Sequence, residues 1–233
     1  MGSTASDGSL SWLVFHTDGS YSGQMHLAHP IRSVVPSLDG PVLVALAGSA
    51  APLSGREIAR LVGKASHAGV QRVLARLATE GVLHAERRSS AVYYSANREH
   101  LAWPAVEVLV GLRRELLRRI TEEVQDWSVP AQSVAVFGSL ARGEGDTDSD
   151  VDLLLVHADG LPDRQSQVWE GQVDSLVAAV ESWTGNRTQP YDVSVQELRA
   201  HVRAAEPIVQ SWRREAITLA GRDVSTLLRS VAR

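Results

Sequence analysis

The sequence predicts an α/β (α+β) chain in two domains: a small helical unit ending in a hairpin, then a long linking helix, then a unit with a small mixed sheet flanked by helices. Three observations carry this prediction. Apolar residues keep helical spacing in three short runs after Leu38 and change to strand spacing over Val82–Asn97. One apolar stripe runs through Glu99–Trp127, and beyond Pro130 short β-rich runs alternate with helical ones. The 233 residues suit two domains of ~100–200 residues each. A hydrophobic share of 44% with 21% charged residues supplies two cores and excludes collagen, coiled coil and wholesale disorder.

Residues 1–27 hold 4 Gly and 6 Ser around the single apolar patch Trp12–Phe15, which predicts a flexible N-terminal arm. Leu38–Gly48 forms the first helix. Ser54 caps a second, whose Ile58, Leu61 and Val62 share a face before Gly63. Ser66 caps a third, with Val70, Val73, Leu74 and Leu77 at i, i+3, i+4 and i+7 and a stop at Gly81. Val82-Leu83 and Val92–Tyr94 then flank the polar centre Arg87–Ser90 as a two-stranded hairpin. Glu99–Trp127 follows as one helix of roughly 40 Å at 1.5 Å per residue, opening near Pro104. Its stripe of Val106, Leu109, Leu112, Leu116, Leu117, Ile120 and Val124 serves as a connector or packs on a second copy, and a homodimer is expected. The expected boundaries are 1–27 for the arm, 28–97 for the first domain, 98–130 for the linker and 131–233 for the second domain.

Helix, helix, helix, hairpin within about 60 residues resembles the winged helix-turn-helix family, including its bacterial ArsR- and MarR-like members. The resemblance implies that Ser66–Gly81 is a recognition helix and Arg87–Ser90 a wing tip. His67, Gln71, Arg72, Arg76, Arg87 and Arg88 would then meet phosphates or base edges of double-stranded DNA. Charge agrees with this reading. Ser54–Arg98 carries eight basic residues against three acidic, a balance of +5, so the net −4 of the chain leaves −9 elsewhere. The alternative is a protein-interaction module with a solvated basic face.

After Pro130 the residues Ser133–Val156 read as a buried strand (Val134–Phe137), a Gly138-Ser139 turn, a short helix, an acidic loop and a second strand (Val151–Val156). Asp150 and Asp152 stand at i and i+2, so on an extended strand both carboxylates project from one face. Two such charges repel unless a cation lies between them, and all-oxygen coordination suits Mg²⁺. Gly138 allows a phosphate close to the backbone, and the Ser139 hydroxyl with the following N–H groups can hold it. Phosphate cradle and carboxylate pair together are apparatus for phosphoryl or nucleotidyl transfer.

These residues resemble the polymerase-beta-like nucleotidyltransferase superfamily, specifically the minimal nucleotidyltransferases, whose signature is Gly-Ser, ten residues, Asp-x-Asp. Here the ten residues Leu140–Ser149 separate Gly138-Ser139 from Asp150-Val151-Asp152, and Arg142-Gly143 matches the usual extension. The resemblance covers about Ala131–Arg222. It implies two Mg²⁺ ions, an NTP substrate, ATP foremost, with its phosphates on Gly138, Ser139, Arg142 and Gly143, and a third carboxylate on a neighbouring strand as metal ligand and general base. Asp192, in Tyr191–Val195, is the candidate, so Asp150, Asp152 and Asp192 form the expected catalytic and metal set. The acceptor is left open among a protein, tRNA and a small molecule. The fused DNA reader tilts the expectation toward a toxin–antitoxin or regulatory system. The alternative is a transcriptional regulator whose second domain senses nucleotide and catalyses little.

The chain has no Cys, which excludes disulfides and thiolate metal sites. No basic residue precedes Arg32 and no apolar run approaches the ~20 residues of a membrane span, so no membrane partner and a cytoplasmic location are expected.

Overall fold

The computed structural model describes residues 23–232. The arm's residues 1–22, with Trp12–Phe15, lie outside the described residues. Its remainder, Gly23–Leu27, is pinned rather than free: Met25 N–H donates to Thr184 O (2.9 Å) and Asn186 Oδ1 (2.9 Å), and Leu27 is fully buried.

In the first half, polar caps and apolar spacing place the elements close to where the sequence puts them. After a 3₁₀ turn at Pro30–Ser33 come α1 (Asp39–Ala47), β1 (Leu53–Ser54), α2 (Gly55–Val62), α3 (His67–Thr79), β2 (Leu83–Arg88) and β3 (Ala91–Ala96). Ser54 and Glu57 make a reciprocal capping box on α2, and Ser66 Oγ accepts from Gly69 N–H (3.1 Å) to open α3. The two-residue β1 has too little period to be read from sequence. It pairs with β3, Leu53 opposite Tyr94, giving a three-stranded antiparallel sheet in the order β1-β3-β2. Ile31, Val42, Leu46, Ile58, Val70, Leu74, Leu77 and Tyr94 form its core.

The single long helix expected over Glu99–Trp127 is corrected to two, α4 (Trp103–Val110) and α5 (Leu112–Gln125), which meet at Gly111. Glycine costs about 1 kcal/mol in a helix interior, so the break falls where it is cheapest. The stripe divides at the same point. Trp103 and Val106 enter the first core, whereas Leu116, Ile120 and Val124 enter the second. The face read as available to a second copy is therefore occupied by the chain itself.

The second half comprises β4 (Ser133–Phe137), α6 (Gly138–Arg142), β5 (Val151–His157), α7 (Asp163–Thr184), β6 (Thr188–Ser194), α8 (Val195–Arg203), α9 (Pro207–Glu215), β7 (Ile217–Gly221) and α10 (Val224–Val231). Its sheet is mixed, in the order β6-β5-β4-β7, with β5 and β6 parallel across α7 and the other pairs antiparallel. β4 is buried on both faces. Val134 and Val136 look toward α5 and α7 with Leu153, Leu155 and Trp169. Ala135 and Phe137 look toward α8, α9 and α10 with Leu154, Val156, Val193 and Trp212. Among the described residues no helix is long and apolar enough to cross a membrane.

Ile120 is fully buried between α5 and the sheet. Ile120→Ala is expected to cost about 2–5 kcal/mol, read as a lower midpoint in chemical denaturation with the circular-dichroism spectrum of the folded state retained.

Candidate active site

The antiparallel register of β4 and β5 places Phe137 opposite Asp152. The residue after Phe137 is Gly138, with φ +67°, a conformation that L side chains rarely adopt. A Cβ at this position would also overlap Asp152 Oδ2, so the carboxylate rests directly on the glycine backbone. Backbone conformation and close approach thus both demand glycine. Ser139 lies in the first turn of α6, and Gly143, in the left-handed region, ends that helix. Glu144 N–H then returns to Ser139 O (3.0 Å). The acidic loop closes on itself: Asp146 Oδ1 accepts from Ser149 Oγ (2.8 Å) and Asp148 N–H (3.1 Å), and the Ser149 hydrogen bond holds the Asp146 carboxyl below its ordinary range.

Asp150 and Asp152 share the sheet face that looks toward α9. Burial pushes the Asp152 carboxyl above its ordinary value, and the charges of Asp150 and Glu215 push it further, against a smaller opposing effect of Arg142. Glu215, the last residue of α9, has a side chain only 8% exposed. Its Oε2 accepts from Arg142 Nη1 (2.9 Å), while Oε1 is buried without a hydrogen-bond partner. Arg142 also donates to Glu144 Oε2 (2.7 Å). The arginine expected to neutralise phosphate is thus held by two carboxylates of the protein.

Asp192, expected to join Asp150 and Asp152, is set apart from them by the register of the parallel pair in this structure. Asp152 lies beside Gln189, and Asp192 lies three positions further on, beside Leu155. Because side chains alternate, Asp192 projects from the opposite face of the sheet. There it accepts from Trp169 Nε1 (3.0 and 2.9 Å to its two oxygens). The position next to Asp152 belongs to Gln189, whose amide reaches Asp150 Oδ2 (3.3 Å) in one orientation and the Arg187 guanidinium (2.8 Å) in the other. Among the described residues no three His, Cys, Asp or Glu converge as one ligand set.

Sequence reasoning also passed over Arg113. From α5 it donates to Leu140 O (2.8 Å) and Ala141 O (3.0 Å), the outgoing carbonyls of α6. An arginine among several on an amphipathic helix offers no distinguishing signal. Glu215, 73 positions from Arg142, offers none either.

On the basic face, His67, Arg72, Arg87 and Arg88 are exposed. Gln71 is half-buried against Gly55 of α2. Arg76 pairs with Asp39 and Glu80, and Arg88 pairs with Glu86 (2.7 Å) and lies over the Tyr93 ring (5.4 Å). Among the described residues Arg72 and Arg87 have no carboxylate partner.

Residues 117–202 match the family of nucleotidyltransferase domains. The match spans Gly138-Ser139, Asp150, Asp152 and Asp192 and stops before Glu215. No match was found among curated proteins. Among solved structures, the chain is similar to a toxin–antitoxin with AMP-PNP (20% identity, 49% of this chain and 82% of that one, TM-score 0.34). It is also similar to a mutant of the toxin–antitoxin MntA–HpeT (16% identity, the same coverage, TM-score 0.33).

The raised pKa of Asp152 fixes a sign. A carboxyl whose folded-state pKa exceeds its unfolded value stabilises the fold below the unfolded value and loses that contribution as pH rises through the folded one. Asp152→Asn is therefore expected to raise the melting temperature in metal-free buffer at pH 7, with the gain shrinking as pH falls to about 4. Thermal unfolding across that range tests it; a lower melting temperature at pH 7 contradicts it.

Proposed function

We propose that the chain is a Mg²⁺-dependent nucleotidyltransferase that transfers NMP from an NTP, ATP foremost, to a hydroxyl acceptor. The observation that carries this reading is the Asp150–Asp152 pair set against Gly138-Ser139, within the segment that matches nucleotidyltransferase domains. The residues suit a divalent cation, since Asp150 and Asp152 bring two like charges to one face of the sheet and the Asp152 carboxylate, resting on the Gly138 backbone, is partly withdrawn from water. Asp150 and Asp152 would hold the metal, which when bound supplies charge neutralisation at the phosphates.

The chain's own part is positional. Gly138 lets a phosphate approach the backbone beside Asp152, and Ser139 offers its hydroxyl and N–H groups. Arg142, fixed by Glu144 and Glu215, adds positive charge at the end of α6. With the NTP so held, an acceptor hydroxyl attacks the α-phosphorus and pyrophosphate leaves. The acceptor classes are a protein, tRNA or a small molecule. Residues 28–97 form a winged helix-turn-helix that binds double-stranded DNA, which gives the protein a regulatory or toxin–antitoxin setting in the cytoplasm.

A second reading, a nucleotide sensor with little catalysis, is favoured by one observation: among the described residues no third carboxylate converges with Asp150 and Asp152, Asp192 being turned away. Labelled ATP, GTP, CTP or UTP with Mg²⁺ and cell extract separates the two. The enzyme predicts label transfer that Asp150→Ala with Asp152→Ala reduces by 100-fold or more. Absence of transfer from every NTP, together with nucleotide-dependent DNA binding, selects the sensor.

For the DNA reader, Arg72→Ala with Arg87→Ala is expected to weaken duplex binding and reduce the salt slope by about 1 per lost phosphate contact. Arg76→Ala, whose guanidinium already serves Asp39 and Glu80, is expected to change it less. Fluorescence anisotropy over a salt series measures both, and unchanged binding in the double variant contradicts this placement of the DNA-reading surface.

A further inference from the structure

Two aspartates on one face of the chain repel, so the backbone that carries them must be held against that repulsion before a cation arrives. Asp152 is held by the β4–β5 pairing, whereas Asp150 stands one residue ahead of β5, at the end of the acidic loop. What fixes Asp150 comes from the turn after α7. Gly185 ends that helix with φ +72°, and a Cβ there would overlap Gly23 O, so the N-terminal segment lies directly on the turn. The next residue, Asn186, is fully buried. Its Nδ2 donates to Thr147 O (3.2 Å) and Ser149 O (3.0 Å), and its Oδ1 accepts from Met25 N–H (2.9 Å). Its own N–H donates to Thr184 Oγ1 (3.1 Å). Ser149 O belongs to the peptide that leads into Asp150. On the other side of Asp150, Val151 N–H donates to Arg187 O (2.8 Å). Two consecutive residues, Asn186 and Arg187, thus grip the chain on both sides of the aspartate.

We infer that Asn186 is a positioning residue of this site: its amide ties the acidic loop to the N-terminal segment and so keeps the Asp150 carboxylate on the face it shares with Asp152, ready for a divalent cation. The role rests on the nucleotidyltransferase reading of the aspartate pair. Asparagine suits it because the three side-chain bonds need two donors and one acceptor on one short planar group, and a buried amide is stable only when these are met. The brace extends along the N-terminal segment. Leu27 is buried in the second core, and Ala28 N–H donates to Gly145 O (2.6 Å) near the start of the same loop. Met25–Ala28 therefore holds the loop at both ends, directly at Gly145 and through Asn186 at Thr147 and Ser149. Groups that orient a metal ligand typically contribute 10–100-fold to metal affinity, and for one acting through the backbone the lower end of that range is expected.

The test is Mn²⁺ binding by the full chain, measured by calorimetry well below the melting transition of every variant. Wild type is expected to bind Mn²⁺, and Asp150→Asn with Asp152→Asn to abolish it. Asn186→Ala is expected to weaken Mn²⁺ about 10-fold. Ile120→Ala, which opens a cavity between α5 and the sheet, is the control for stability alone. It is expected to lower the melting temperature and leave Mn²⁺ affinity unchanged. A lower melting temperature in Asn186→Ala with wild-type affinity is the purely structural pattern and overturns the inference, as does an equal loss of affinity in Ile120→Ala. Should Asn186→Ala not fold, Asn186→Ser, which leaves a hydroxyl for one of the three partners, is expected to weaken Mn²⁺ by a similar or smaller factor; wild-type affinity in that variant also overturns it. A wild type that takes up no Mn²⁺ overturns the aspartate-pair reading itself, which separates the two failures.

Discussion

The pairing of Phe137 with Asp152 across β4 and β5 is the constraint on which the rest of the site depends. β4 is buried on both faces and has antiparallel partners at both edges, so its position along the sheet has no slack. A shift of one residue would turn every side chain of β5 to the opposite face and drive Asp152 into the apolar layer beneath α5 and α7. Burial of Val134, Val136, Leu153 and Leu155 on one side, and of Ala135, Phe137, Leu154 and Val156 on the other, is thus what holds the carboxylate over Gly138.

Features determined within a few residues were legible in the sequence. The Ser54 and Ser66 caps, the hairpin around Ser89-Ser90 and the Gly138–Asp152 segment each depend on contacts between close neighbours along the chain, and each lies where it was read. The register of β6 against β5 was not legible. Thirty residues of loop and α7 intervene between those strands, and whether Asp192 or Gln189 stands beside Asp152 depends on how α7 packs, which the alternation within Tyr191–Val195 does not encode. Gly111 was visible but outweighed by the apolar stripe on both sides of it. The contact between Arg142 and Glu215 depends on α9 docking against α6, and nothing in Trp212–Ala216 marks that glutamate among its neighbours.

Electrostatics and packing oppose one another at the site. Asp150, Asp152 and Glu215 gather negative charge where water is partly excluded, and Arg142 offsets only part of it. Elsewhere the chain treats charge differently. Glu115 on α5 is drawn down to about 2 by Arg118 and Arg119, at a partly exposed position on the helix surface, where such pairs contribute little. Burial pushes up carboxyls on both faces of the sheet: Asp152 over Gly138, and Asp192 against Trp169 on the opposite face.

The same strand order governs the sequence of events during synthesis. Among the described residues the first core draws on Ile31 through Val110, all of them upstream of β4. It can close while the remainder is still being translated. β4 cannot be completed so early: one neighbour is β5, and the other is β7, more than 80 residues downstream of it. Pairings of such long range form slowly and late. A nascent chain therefore folds its basic, helical half before its carboxylate half is enclosed, and the two halves take shape at different moments of its making.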